Sequence, residues 1–204
     1  MSAPETTQIE YLLSITDGPS TESGAETHVL SFEVSEGLSD LYSVDLLISY
    51  ADVELDLDGI MGKDAVLTLS HDEGDRCFHG VVVEAEELEE TPNFTRYRVR
   101  LMPRLFLLAH QQDSRIFQDK TTTEILTEVL EAAGISGDRL DDRTTASYEP
   151  RNYCVQYRES SLKFARRLME EDGISFWFEH SDDDHVLVLA DDSSAYDAID
   201  GSST

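Results

Sequence analysis

The sequence predicts an α+β fold, mainly β, in which an antiparallel barrel-like domain precedes a smaller α+β domain. Three observations predict it. Up to Leu101 the apolar residues recur at every second position, in short runs separated by turn residues, the pattern of half-buried strands in an antiparallel sheet or barrel. From Pro103 onward that alternation stops, and two segments with helical spacing follow, one after Thr121 and one after Ser160. The run ISFWF at 174–178 then follows Gly173 directly, and β-branched and aromatic residues in so short a run suit a buried strand. The expected domains are 1–110 and 111–190, with a flexible acidic end at 191–204.

The first half reads as strands. Residues 8–15 place Ile9, Tyr11, Leu13 and Ile15 on one face, and Asp17-Gly18-Pro19 breaks the run. Residues 28–34 repeat it with Leu30, Phe32 and Val34 inward, and 41–49 set Tyr42, Val44, Leu46 and Ile48 on one side. Residues 52–62 read as an acidic loop: Glu54, Asp56 and Asp58 ahead of Gly59 imitate the start of a calcium loop. The twelfth position from Glu54 is Ala65, where that loop needs a bidentate glutamate. Lys63 likewise fails as a phosphate-loop lysine, because the spacing is short and Asp64 follows it. Residues 65–70 and 77–84 form an expected strand pair around a polar turn. Within it Gly80 marks a bulge or a close backbone approach, and His79, with no partner nearby in sequence, reads as structural. Along 95–101, Tyr97, Val99 and Leu101 face one way and Arg96, Arg98 and Arg100 the other; a positive stripe in so negative a chain is expected to meet cross-strand carboxylates.

The second half carries the helices. Thr121 with Glu124 makes a capping box, Ile125, Leu126, Val129, Leu130 and Ala133 form the stripe, and Gly134 ends it. Residues 136–149 read as a polar connection. YCVQY at 153–157 alternates as a strand, Ser160 caps the next helix, Leu162, Ala165, Leu168 and Met169 are its expected stripe, and Gly173 stops it. HVLVLA at 185–190 returns as a hairpin partner across Ser181-Asp182-Asp183-Asp184, whose three aspartates between His180 and His185 read as a charged tip rather than a metal cluster.

Composition narrows the function. Forty-three acidic residues against fifteen Lys and Arg give a net charge of −28, which repels phosphate backbones and anionic membranes, so neither nucleic acid nor membrane anchoring is expected. The charge reads as an adaptation for solubility or high salt, or as a field aimed at a basic partner. Cys77 and Cys154 form neither a CxxC pair nor a metal-ligand spacing. MSAPETTQIE has no basic or apolar region of a secretory signal, and no stretch reaches membrane-span length. There is no G-x-S-x-G elbow, no H-E-x-x-H and no phosphate loop. No enzyme, cofactor or metal is expected.

Three separated segments also carry a resemblance. They are CFHGVVVEAEEL with RYRVRLMPRLFLL, SRIFQDKTTTEILTEVL, and YRESSLKFARRLMEEDGISFWFEH. In this order they resemble the VgrG proteins, the spike proteins of type VI secretion, which are related to the phage late control D protein and the baseplate hub of contractile-tailed phages. The matching positions are Phe78, His79 and Gly80; Arg115, Ile116 and Phe117; Tyr157, Arg158, Glu159 and Ser160; and Phe164, Leu168, Glu170, Gly173 and Ile174. The resemblance makes them structural. Ser161 departs from the aspartate usual in relatives, with a small expected effect through the helix dipole. The resemblance implies the N-terminal part of a hub, with an uncovered sheet edge around residues 174–178. It implies a homotrimeric platform joining a spike to a hexameric tube, with spike-tip, effector or adaptor proteins as partners, made in the cytoplasm and exported with the apparatus. The alternative is a stand-alone acidic module that binds an effector or adaptor.

Overall fold

The computed structural model describes residues 10–16, 18, 27–51, 55–70 and 74–196. The expectations placed on Ile9, Asp17, Pro19, Glu54, most of the 71–75 turn and the last eight residues therefore lie outside the described residues. The chain divides into two compact units, residues 1–36, 41–103 and 180–185 in the first, and 37–40, 104–179 and 186–204 in the second.

The first unit is a six-stranded antiparallel sheet of β1 (Glu10–Ile15), β2 (Thr27–Ser35), β3 (Ser43–Tyr50), β4 (Asp64–Ser70), β5 (Arg76–Glu90) and β6 (Thr95–Met102), in the order β1-β4-β5-β6-β3-β2. It curls until its two edge strands meet through the rings of Tyr11 and Phe32, 5.3 Å apart and edge to face. The concave side is the core. Val44, Leu46 and Ile48 stand opposite Leu101, Val99 and Tyr97 in register, and all six are buried, as strict alternation on both strands requires. The other face of β6 carries the expected ladder: Arg96 reaches Glu89 at 2.9 Å, Arg98 reaches Glu86 at 3.1 Å, and Arg100 reaches Glu84 at 3.1 Å and Asp45 at 2.7 Å. These pairs are exposed and fix register more than they add stability.

Two readings of this half need correction. Leu30 does not point inward: a bulge between Val29 and Ser31 resets the parity of β2, leaving Leu30 46 % exposed. Residues 55–62 are not simply a loop. They hold a one-turn helix, α1 (Leu57–Ile60), whose N-cap Asp56 accepts from Gly59 N at 3.0 Å, so that carboxylate closes a turn.

The second unit holds β7 (Gln112–Phe117), α2 (Thr122–Glu131), β8 (Leu140–Asp142), β9 (Cys154–Ser160), α3 (Ser161–Asp172), β10 (Ser175–His180) and β11 (His185–Ala190), apart from the hairpin tip at 180–185. β7 and β9 pair antiparallel, and β10, β11 and β8 form a three-stranded sheet with β10 on an edge. Both helices start and stop as their residues dictate. The Thr121–Glu124 capping box is complete, Ser160 Oγ accepts from Lys163 N at 3.2 Å, and Gly173 turns left-handed at φ 70°. The buried stripe of α3 is Phe164, Ala165, Leu168 and Met169 together with Ser161, whereas Leu162 is only half-buried. The 136–149 connection is also more ordered than expected, because β8 pairs parallel with β11, Leu140 opposite Leu187.

The acidic end begins later than Asp191. That carboxylate accepts from Thr145 N and Ala146 N at 2.8 Å each and from Tyr148 Oη at 2.7 Å, and a short turn, Ser193–Ala195, follows. Burial pushes its acidity down, but these donors outweigh it and hold the pKa at about 2, against an ordinary 3.8. A depressed carboxylate stabilises the fold above its unfolded pKa, and that contribution disappears as pH falls from 3.8 towards 2. Asp191→Asn is therefore expected to lower the urea midpoint at about pH 6 and to differ much less from wild type at about pH 2.5. An equal gap at both pH values would contradict the assignment.

Candidate functional site

The residues most unlike a plain core lie in the first unit, where β5 meets the hairpin tip 180–185. His79, His180 and His185 come together there from strands about a hundred positions apart. His79 Nδ1 lies 3.0 Å from His185 Nδ1, and Asp184 Oδ1 stands 3.9 Å from each. Both rings are 4 % exposed. The carboxylate is oriented by the His185 N–H, which donates to Asp184 Oδ1 at 2.9 Å.

The backbone of His79 is held on both sides. Its N–H donates to His180 Nδ1 at 3.2 Å, and its carbonyl accepts from Tyr42 Oη at 2.5 Å. Accepting at Nδ1 leaves the His180 proton on Nε2, which faces Glu36 Oε1 at 3.6 Å. Burial pushes His180 below the ordinary imidazole value, although Glu36 pulls the other way. Tyr42 and Phe78 meet the His180 ring edge-on at 4.6 and 5.7 Å. Beside the cluster a cleft of about 590 Å³ is lined by Asp75, Cys77, His180 and Asp182 among others.

Gly80 makes this approach possible. A Cβ there would stand 2.9 Å from Met102 O and 3.3 Å from Tyr42 Oη, and the bulges of β5 fall elsewhere, between Val82 and Glu84 and between Glu87 and Glu89. Of the two readings of this glycine, close approach is the one the structure supports. His79, read as structural with no partner nearby in sequence, meets its partners at positions about a hundred residues away. The only local hint was the pair of histidines flanking three aspartates.

The remaining motif positions lie in the second unit, and two of them, Arg115 and Glu159, join Gln156, Ser161 and Arg167 in a polar layer on one face of the β7–β9 ladder. Arg115 donates from Nε and Nη2 to Gln156 Oε1 at 3.2 and 3.0 Å, Gln156 Nε2 donates to Ser161 Oγ at 3.3 Å and Glu159 O at 3.2 Å, and Arg167 reaches Glu159 at 2.8 Å. Phe117 stacks on Phe164, 5.6 Å apart and 13° from parallel. Leu168 and Ile174 are buried and Glu170 is exposed. Arg158 takes φ 49° and sits over Tyr157. Ser161 is 1 % exposed and faces Arg115 at 3.5 Å, so the usual aspartate there would meet a guanidinium, an effect the dipole argument missed. Ile116 and Tyr157, which share the opposite face of the ladder, are 60 % and 67 % exposed.

Comparison with known proteins agrees with this architecture. Residues 35–204 match the phage tail baseplate hub (GPD) family. The type VI secretion system spike protein VgrG1b of Pseudomonas aeruginosa is 39 % identical over 177 residues, covering 85 % of this chain and 23 % of that protein. VgrG1c of the same organism is 38 % identical over 165 residues, covering 80 % and 22 %. The chain thus spans less than a quarter of these relatives. Among solved structures, the Escherichia coli c3393 protein, described as a component of the type VI secretion system similar to T4 phage tail proteins gp27 and gp5, superposes with a TM-score of 0.81 at 28 % identity, over 91 % of this chain and 50 % of that one. On the extent of the family match and the identity to these spike proteins, the chain belongs to the phage tail baseplate hub (GPD) family.

Proposed function

We propose that this chain is a structural hub component of a contractile injection apparatus, part of a trimeric platform joining a spike to a hexameric tube. The observation that carries the reading is the family match across residues 35–204 together with the 0.81 superposition on a type VI secretion component. The exposed Ile116 and Tyr157, on one face of the β7–β9 ladder, are available to such a contact. Under this reading the chain has no catalytic role, its two halves at 1–110 and 111–190 act as hub domains, and it leaves the cell with the apparatus. The first partners are further copies of the hub and the tube protein. Solved complexes of Francisella PdpA with VgrG share the fold, with a TM-score of 0.62 at 10 % identity over 92 % of this chain and 32 % of that one. They suggest effector or adaptor contacts as well.

Charge provides the test. Each copy brings −28 into the assembly, and self-repulsion of that size is screened over about 10 Å at 0.1 M salt. Sedimentation is expected to show association tightening as salt rises; equally tight trimers at low and high salt would remove the charge argument. A second reading, a stand-alone acidic module, is favoured by the same −28. It predicts a monomer at every salt concentration that retains a basic partner.

A further inference from the structure

We infer that His79, His185 and Asp184 form a binding site for a divalent transition-metal ion of the zinc class, a site independent of the hub reading. The three facing atoms, His79 Nδ1, His185 Nδ1 and Asp184 Oδ1, make a triangle with sides of 3.0, 3.9 and 3.9 Å. A tetrahedral ion about 2.0–2.2 Å from each donor needs corners about 3.3–3.6 Å apart, so the 3.0 Å edge opens and the two 3.9 Å edges close by a few tenths of an ångström when an ion binds. A hydrogen bond between two imidazoles would account for the 3.0 Å separation alone. The Asp184 carboxylate, oriented by the His185 N–H, stands equidistant from both nitrogens and completes a three-donor set.

The donor set and its surroundings agree. Two imidazoles and one carboxylate suit zinc and its neighbours rather than calcium or magnesium, which prefer oxygen alone. Three protein ligands leave a fourth position for water or another small donor. Surrounding groups fix the backbone that carries the ligands: Tyr42 and His180 pin the peptide of His79, and the His185 N–H orients Asp184. The neighbouring cleft, with Asp75 and Asp182 on its wall, supplies an acidic approach for a cation. Because His79 sits on β5 and the other two ligands at the hairpin tip, a bound ion would clip the two together within the first unit.

The test uses the full 204-residue chain, without a histidine tag, stripped with a chelator. Competition against a chromogenic chelator is expected to show one tight Zn²⁺ per chain, and Co²⁺ is expected to give the intense visible bands of a low-coordinate site. At saturation roughly a hundredfold above Kd, the thermal midpoint is expected to rise by about 5 °C or more. H185N, H79N and D184N, each removing a direct ligand, should weaken binding by at least the roughly tenfold to hundredfold that loss of an outer partner costs, whereas H28Q and H110Q, both on exposed residues, should leave it unchanged. Should the histidine variants fail to fold, the Co²⁺ spectrum of the wild-type chain decides. Zn²⁺ held no more tightly than Mg²⁺, a pale octahedral Co²⁺ spectrum, or undiminished binding in a folded H185N would each overturn the assignment. Those outcomes would leave the histidines as a hydrogen-bonded pair.

Discussion

Gly80→Val is expected to lower the stability of the chain by about 3 kcal/mol or more, the upper end of what overpacking costs. For a chain of this size that corresponds to a fall of roughly 6–12 °C in thermal midpoint. The reason is specific to the position. The new Cβ would stand 2.9 Å from the carbonyl oxygen of Met102 and 3.2 Å from Leu101 Cβ, and neither is the far end of a flexible side chain. Relief requires β5 to move away from β6 in the middle of the sheet, which also withdraws the His79 carbonyl from Tyr42 Oη. Gly37→Ala is the control, since its Cβ would meet only Asp40 Cβ at an ordinary 3.6 Å. Calorimetry giving the two variants the same midpoint would show that the sheet accommodates a side chain at residue 80.

Phe164→Ala should cost a similar amount or more, about 3–5 kcal/mol. The side chain is 0 % exposed, its ring stacks within 13° of parallel on Phe117, and the Arg167 guanidinium lies over it, 5.3 Å from the centroid. Truncation removes the side chain through which α3 grips β7, and the pinned strands limit how far the void can collapse. Urea unfolding reads the loss as a lower midpoint. Phe164→Leu, which keeps most of the volume, should lose less than half as much. Ile116→Ala, on the exposed face of the same ladder, should stay within about 0.5 kcal/mol of wild type. Equal losses at residues 164 and 116 would mean that the packing described for the second unit is wrong.

What was legible in the sequence is what short-range physics determines. The capping box at Thr121 and Glu124, the cap at Ser160 and the left-handed Gly173 involve residues within one turn of each other. The inward face of β3 and the arginine face of β6 follow from strict alternation, and the register then delivers Glu84, Glu86 and Glu89 opposite the arginines. Alternation fails where one extra residue enters, as it does at Val29 and Ser31, and nothing in the local sequence announces that bulge. In α3 the stripe drawn from Leu162 missed Phe164, because two helical faces fit the same apolar residues and only the packing partner, Phe117, chooses between them. The histidine cluster lay furthest out of reach. His79 and His185 are joined by a chain reversal that no motif encodes, and strict periodicity says nothing about a polar residue on a strand buried on both faces.

The hub reading is tested most directly by molar mass. A chimera in which this chain replaces the matched region of Pseudomonas aeruginosa VgrG1b, 177 residues at 39 % identity, would be compared by light scattering with the isolated 204-residue chain at moderate salt. A trimeric chimera alongside a monomeric or weakly associating isolated chain is the predicted result, because the fold then serves as one building block of a larger platform. A chimera that stays a stable, folded monomer would contradict the platform and leave the acidic binding module as the account of this chain.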